Sequence, residues 1–462
     1  MAITILGIGL LVFFGHVLTG LFEKTKIPDV LILTIAGIVL GPVFHVITPE
    51  DFGKVGPVFT TLALIIILFE GGIHLNVRSL VSHAGDTLTI SVATFALTVL
   101  VLSLVADLLL PVDYPTALLI GVILGGTSSA VVVPMIRVLR IGEGTRTILF
   151  LESALTDVLV VVLSLALVQA MVAGAASPDA GINGGSIAAG IAMSFLMSAV
   201  IGVVGAFLWS ALLNKVRQFP NTVFTTFAAV FILYGVADLQ GYSGAIAALA
   251  FGIAVANFSN IPDRLVGKLF TFKLVGFAEH ERAFFAEVVF LVKTFFFVFL
   301  GLSITLTDLR TVSVGLALVP LFYVGRLFVV RLLADREATR REAMLMTSLI
   351  PKGLASAVLA ALPLQMGLAS GAIVQSTVYS VVLFSIVFCA ALVLAVERGW
   401  LDRFASGFFT PFSESLPVPA SVPPGPRIAQ QSLGLPQLTT NMIEPNPIRD
   451  LADSDAESGR DT

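Results

Sequence analysis

The 462-residue chain holds a single cysteine, Cys389, two tryptophans and five histidines, and only 12% of its residues are charged. One thiol inside an apolar run excludes a disulfide framework and a cysteine-built metal cluster. No His/Cys grouping at ligand spacing occurs, so neither zinc nor haem is expected. Soluble domains carry about 25% charged residues, and half that supply excludes a soluble enzyme and a nucleic-acid binder. The net charge of −4 is too small to point to a partner. The chain has no glycine-rich nucleotide fingerprint, so no nucleotide-binding domain is expected. His16, His45 and His74 stand near the ends of apolar runs and read as interfacial residues.

What is plentiful is apolar: 57% of the residues. They fall in runs of about 20, the length that crosses the hydrocarbon core as a helix. Thirteen runs lie near 3–22, 28–47, 57–76, 85–109, 115–136, 146–173, 186–213, 219–237, 242–259, 285–304, 312–333, 341–363 and 372–396. Only helices of that length satisfy every backbone amide without water. The pattern predicts an all-α polytopic membrane protein with about thirteen transmembrane helices, surrounded by membrane lipids. The first run lacks a basic leader and a small-residue cleavage site, so it is expected to stay as a helix.

Basic residues orient the chain. With the amino terminus outside, inner loops hold eighteen Lys and Arg, from Lys24 to Arg403, and outer loops hold only Lys54 and Arg310. This is a positive-inside bias, and it predicts a plasma or inner membrane protein with a cytoplasmic carboxyl end. Residues 404–462, with Pro417, Pro419, Pro424 and Pro426 and an Asp/Ser/Glu-rich end, read as a disordered tail. The basic stretch Pro262–Arg282, carrying Phe270, Phe272 and Phe277, reads as an amphipathic surface helix or as a solvated loop.

The halves of the 1–403 domain echo each other. Gly37-Ile38-Val39-Leu40 returns as Gly252-Ile253-Ala254-Val255, Phe69-Glu70-Gly71 as Phe299-Leu300-Gly301, and Ser129-Ala130-Val131 as Ser356-Ala357-Val358. Matching spans one to six (about 3–173) with eight to thirteen (about 219–396) leaves span seven (186–213) as a linker. An odd offset turns the second copy upside down, the architecture of secondary transporters. Spans five and twelve carry helix-breaking residues at matched places: Gly125, Gly126, Thr127, Ser128 and Ser129 in one, Pro351, Lys352 and Gly353 in the other. Glycine and proline there predict two discontinuous crossing helices.

Six ionisable residues remain at membrane depth: Glu70, Glu152, Asp157, Lys293, Arg326 and Lys352. Each costs at least about 2.5–3.5 kcal/mol on insertion scales, and such residues mark ion pathways or tie helices together. In Glu152-Ser153-Ala154-Leu155-Thr156-Asp157 the helical spacing sets Ser153 and Asp157 on one stripe and Glu152 and Thr156 on the next. That face carries two carboxylates and two hydroxyls, all oxygen donors for a hard monovalent cation. Glu70 is a candidate further ligand. Ser153 has no neighbouring His or Lys in sequence, so a membrane hydrolase is discounted.

Phe69-Glu70-Gly71-Gly72, Glu152-Ser153 with Asp157 four residues on, and Gly325-Arg326 together resemble the sodium/hydrogen exchanger family, NhaP-like members of the monovalent cation/proton antiporter superfamily. The resemblance covers about residues 5–400. It implies a homodimer whose core domain moves against a dimerisation domain, with Asp157 as the exchanged carboxylate. Ser153, Glu70 and the backbone near Thr127 would contribute to the site, and Glu152 would pair with Arg326. Thr156 and Thr127-Ser128-Ser129 depart from the sodium/hydrogen branch, and Ser128-Ser129-Ala130 is closer to the potassium branch. Lys293 stands near the lysine of electrogenic members, although only one Asp is present. The expected activity is Na+ or K+ exchange for H+, with no cofactor and no enzymatic reaction. A channel or sensor, or a sodium-coupled symporter of similar architecture, is the alternative.

Overall fold

The computed structural model describes residues 2–25, 27–47, 55–75, 78, 84–176, 184–218, 224–258, 276–304, 309–336 and 338–413. Each of the thirteen apolar runs coincides with a helix or a pair of half-helices. They are α1 (Ala2–Thr25), α2 (Asp29–Ile38, continued by a π-helical turn Val39–Val43), α3 (Val55–His74) and α4 (Ala84–Leu109). Then come α5 (Tyr114–Ile123), α6 (Ser129–Val138), α7 (Glu143–Ala176), α8 (Gly184–Val216), α9 (Thr225–Leu239) and α10 (Gly244–Asn257). The rest are α11 (Glu279–Ser303), α12 (Leu309–Leu333), α13 (Arg340–Ser348), α14 (Leu354–Gln365), α15 (Gly371–Glu397) and a short α16 (Asp402–Phe408). Six of the described helices are long and apolar enough to cross a membrane alone. Pro42 explains the π turn, since it removes one donor from the ladder.

The helices form two groups. One holds α1–α3 and α8–α11, with α10 packed on α3 and α8, and α2 on α11. The other holds α4–α7 and α12–α15, with α4 on α5 and α12, and α15 on α12 and α14. Phe69 sits at the centre of the first group, its ring centroid 5.6–5.9 Å from those of Phe227, Phe251, Phe277 and Phe285. Much of the phenylalanine is therefore interior bulk.

The internal repeat appears in the packing itself. A Cβ on Gly37 would overlap the carbonyl of Val298, and one on Gly301 the carbonyl of Thr34. In the same way, a Cβ on Gly72 would lie 2.5 Å from Leu249 O, and one on Gly252 2.5 Å from Phe69 O. Exchanging α2 with α10 and α3 with α11 maps one crossing onto the other. The structure also corrects the register read from sequence. Gly72, rather than Gly71, is the equivalent of Gly301, and the helix starts at Ser129 and Leu354 put the Ser129/Ser356 match two residues out of step.

Polar contacts define two faces. Arg341 donates to Arg140 O (2.6 Å) and pairs with Glu397, while Gly142 N donates to Glu342 Oε1 (2.6 Å). These collect the α6–α7 link, the start of α13 and the end of α15 on one basic face. On the opposite face Arg310 reaches Leu109 O (2.9 Å) and the Thr116 and Ser370 hydroxyls lie 3.0 Å apart.

The boundary of the tail needs correction. Order continues past 404, because Phe409 and Phe412 are buried and the guanidinium groups of Arg331 and Arg336 lie 4.7 and 5.0 Å from the Phe408 and Phe412 rings. Arg340 N donates to Ser413 O (3.1 Å). A cluster of aromatics outweighs the low-complexity composition that begins a few residues later. Residues 262–275 of the basic stretch, and 414–462, lie outside the described residues.

The glycine crossings generate a prediction. Gly301→Ala should lower the thermal midpoint of the detergent-solubilised protein, with an overpacking cost of about 1–3 kcal/mol. Gly9→Ala, which meets no atom within 4 Å, is the matched control, and equal midpoints would remove the close-packing argument.

Candidate functional site

Two helix breaks meet in the second group. α5 ends at Ile123, the chain turns at Leu124–Gly125, bends at Gly126 and enters α6 at Ser129 after an extended Ser128; α13 ends at Ser348 and α14 starts at Leu354 after Ile350–Gly353. Breaks free backbone groups that must be satisfied without water. Here each break satisfies the other. Ser128 N donates to Pro351 O (2.8 Å), Lys352 Nζ donates to Gly126 O (2.9 Å), and Ser356 Oγ donates to Ile123 O (2.7 Å). Glycine is obligatory at 353, where a Cβ would overlap the Ser128 side chain. At Gly125 and Gly126 a Cβ would come 2.6 Å from Phe95 and 2.5 Å from Val160, so the linking segment passes close to α4 and α7.

The four half-helix ends carry partial charge, positive at N-termini and negative at C-termini. Lys352 places its ammonium beside the break that follows the C-terminal end of α5, and 4.4 Å from the Phe322 ring centroid. Asp157, on α7, places its carboxylate at the N-terminal end of α6. Its Oδ2 accepts from Ser129 Oγ at 2.6 Å and from Ser129 N at 3.4 Å. Oδ1 has no hydrogen bond among the described residues, and the side chain is half-buried. Glu70, with 32% of its side chain exposed, lies within electrostatic reach of Asp157 and 3.6 Å from His74.

A second buried unit sits one turn away on α7. Glu152 accepts a two-pronged ion pair from Arg326 at 2.6 and 2.7 Å. The same guanidinium donates to Thr94 Oγ1 (2.6 Å) and Met346 O (3.1 Å). One arginine thus fastens α4, α7, α12 and α13, and Glu152 and Arg326 are each only 1% exposed.

The sequence-predicted residues divide accordingly. Asp157 meets the break at Ser129, which the sequence reads as part of the break alone and which is the hydroxyl that holds the carboxylate, while the contact of Glu70 is with His74. Ser153 is buried and donates to Phe150 O of its own helix (2.9 Å). Thr156 accepts from Thr127 N (3.0 Å) and donates to Glu152 O (2.9 Å), so its hydroxyl is spent on positioning the break. Lys293 lies in the other helix group and pairs with Asp29 at 3.2 Å. Asp29 escaped the sequence reading because it follows Pro28 and looks like a loop acid, and Thr94 because a hydroxyl in an apolar run carries no periodic signal.

Comparison with known proteins places the chain in a family and matches its fold. The family model described as "Sodium/hydrogen exchanger, transmembrane" matches residues 9–395. The Na(+)/H(+) antiporter 1 of Methanocaldococcus jannaschii is 26% identical over 164 residues, 35% of this chain. That matched stretch spans 38% of the relative's own length. Two solved structures of the sodium proton antiporter MjNhaP1 from the same organism share the fold. One, at pH 8, gives a TM-score of 0.61 at 20% identity and covers 84% of this chain and 99% of that one. An electron-microscopy structure gives 0.57 at 18% identity, covering 90% and 100%.

The buried pair makes a prediction of its own. Removing one partner of a buried ion pair costs about 3–5 kcal/mol because the other charge is stranded. Glu152→Gln should therefore collapse the monodisperse peak in fluorescence-detected size exclusion. The joint replacement Glu152→Leu with Arg326→Leu should recover more protein than either single change. A wild-type profile for Glu152→Gln would remove the fastening role.

Proposed function

The chain belongs to the sodium/hydrogen exchanger family, a family of transporters rather than enzymes, and from that premise we propose that it exchanges a monovalent cation for protons at Asp157. The observation that carries the reading is the carboxylate of Asp157 set at the N-terminal end of an interrupted helix, with one oxygen held by Ser129. A bare charge at membrane depth is costly. The carboxylate is satisfied by a proton or by an alkali cation, and the two exclude each other at one oxygen. Exchange follows from that competition once the site is presented to each side in turn.

The remaining groups fit supporting roles. Glu70 supplies a second carboxylate near the cation. Lys352 and Thr156 hold the break that points α6 at Asp157. Glu152 and Arg326 neutralise each other and keep the core assembled, while Lys293 is engaged with Asp29 and takes no part at Asp157. Sodium and potassium are both candidate cargo. The protein works as a homodimer in the plasma or inner membrane, with its basic face cytoplasmic.

Everted vesicles test the assignment. Sodium or potassium added to vesicles holding a preset pH gradient should dissipate it, and Asp157→Asn should abolish the response at normal expression. Full activity in Asp157→Asn would sink the reading. Ser129→Ala should keep exchange but raise the half-saturating cation concentration several-fold, since it removes a contact to the carboxylate without removing the charge. An unchanged half-saturation would take Ser129 out of the site.

A further inference from the structure

A cavity of about 260 Å³ lies between the two helix groups. It opens toward the face of Leu109 and Arg310, opposite the basic loops. Asp238 and Tyr234 of α9 line it, with Tyr242 of the following turn and Gln365 at the end of α14. Its floor is apolar: Leu64 of α3 and Leu165 of α7. At about 1.5 Å per residue along a helix, Leu165 is about 12 Å from Asp157 and Leu64 about 9 Å from Glu70. Buried Val160, Val161, Ile65, Ile66 and Leu68 fill the helices between. Along α3 and α7 apolar residues thus separate the cavity from the exchange carboxylates.

Its chemistry suits one class of ligand. A water takes about 30 Å³ in the liquid, so the space admits a small ion together with part of its hydration shell. Asp238 is the one charged residue of the described lining, and its carboxylate forms no ion pair among the described residues. Tyr234 stands one turn away on the same face of α9 and adds an aromatic, hydroxyl-bearing side chain to the lining. Gln365 adds an amide oxygen. An anion would meet an uncompensated carboxylate, and a bulky apolar solute would bury the Asp238 carboxylate and the Gln365 amide without partners.

We propose that this cavity is a docking station for a hydrated alkali cation, held by Asp238 on the face opposite the basic loops, ahead of transfer to Asp157. The transfer rests on the exchange reading; the docking does not.

Thiol labelling separates the two. Met366→Cys places a reporter in the lining, while the native Cys389 is buried and serves as the silent background. In proteoliposomes, the rate ratio of a cationic to an anionic methanethiosulfonate at that cysteine should fall about fivefold on adding Asp238→Asn and stay high with Asp238→Glu. Sodium or potassium replacing an equal concentration of N-methylglucamine should slow the cationic reagent. A ratio indifferent to Asp238→Asn, or the absence of protection by both alkali cations, overturns the docking site. In transport assays, Asp238→Asn should raise half-saturating sodium several-fold for addition from that face only; an equal shift from both faces, or none, also overturns it. Labelling as expected in a protein that exchanges no cation would uphold the docking site and sink the exchange reading instead.

Discussion

Everything at the site depends on a backbone constraint: a helix cannot be interrupted inside a membrane unless its freed amides and carbonyls find partners. The two interruptions solve this jointly. Ser128 N bonds to the carbonyl of Pro351, a residue with no donor of its own, and the ammonium of Lys352 returns the contact at Gly126 O. Neither break is viable without the other, which accounts for Gly353 lying where any side chain would strike Ser128. The N-terminus of α6 is the by-product of this arrangement, and it is where Asp157 docks.

Charge pairing then divides the deep ionisable groups. Arg326 is consumed by Glu152, Lys293 by Asp29, and Lys352 by a carbonyl and the Phe322 ring. Asp157 and Glu70 are the deep carboxylates left without a lysine or arginine partner among the described residues. A carboxylate answered by a fixed cation gains little from a mobile one. Two carboxylates answered only by a hydroxyl, an amide and a half-exposed histidine gain more from a mobile cation, which is the asymmetry that the proposed exchange at Asp157 draws on.

The helices and their breaks were legible in the sequence, because membrane length and glycine and proline chemistry act locally, whereas the pair Glu152–Arg326, 174 residues apart, was implied by the family resemblance alone. What was not legible is which hydroxyl does what. Ser153 shares Asp157's stripe on α7 and Thr156 stands on the next, yet both turn to backbone, and the hydroxyl that reaches Asp157, Ser129, comes from 28 residues upstream. Spacing within one helix says which residues share a face, and it is silent about what that face meets. Asp29 reads as a loop acid after Pro28, and nothing near it in the chain points to its partner Lys293 on α11. The one-residue slip at Gly71 and Gly72 likewise arises because apolar letters fix a helix but not its contact register.

The placement of the ion pairs also bears on how such a site could be presented to two sides. Arg326–Glu152 and Arg341–Glu397 lie within the group that holds Asp157, and Arg217–Glu281 and Lys293–Asp29 lie within the other. Where the groups meet, α3 faces α7 and α14 through residues such as Leu64 and Leu165. Sliding one group past the other would strand none of these charges, since each moves with its own partner. Dispersion contacts between apolar side chains are individually weak and re-form after a shift, whereas a buried ion pair, once parted, leaves an uncompensated charge. The fold therefore puts its strong interactions inside each group and its exchangeable ones between them, which is the distribution that a moving Asp157 would require.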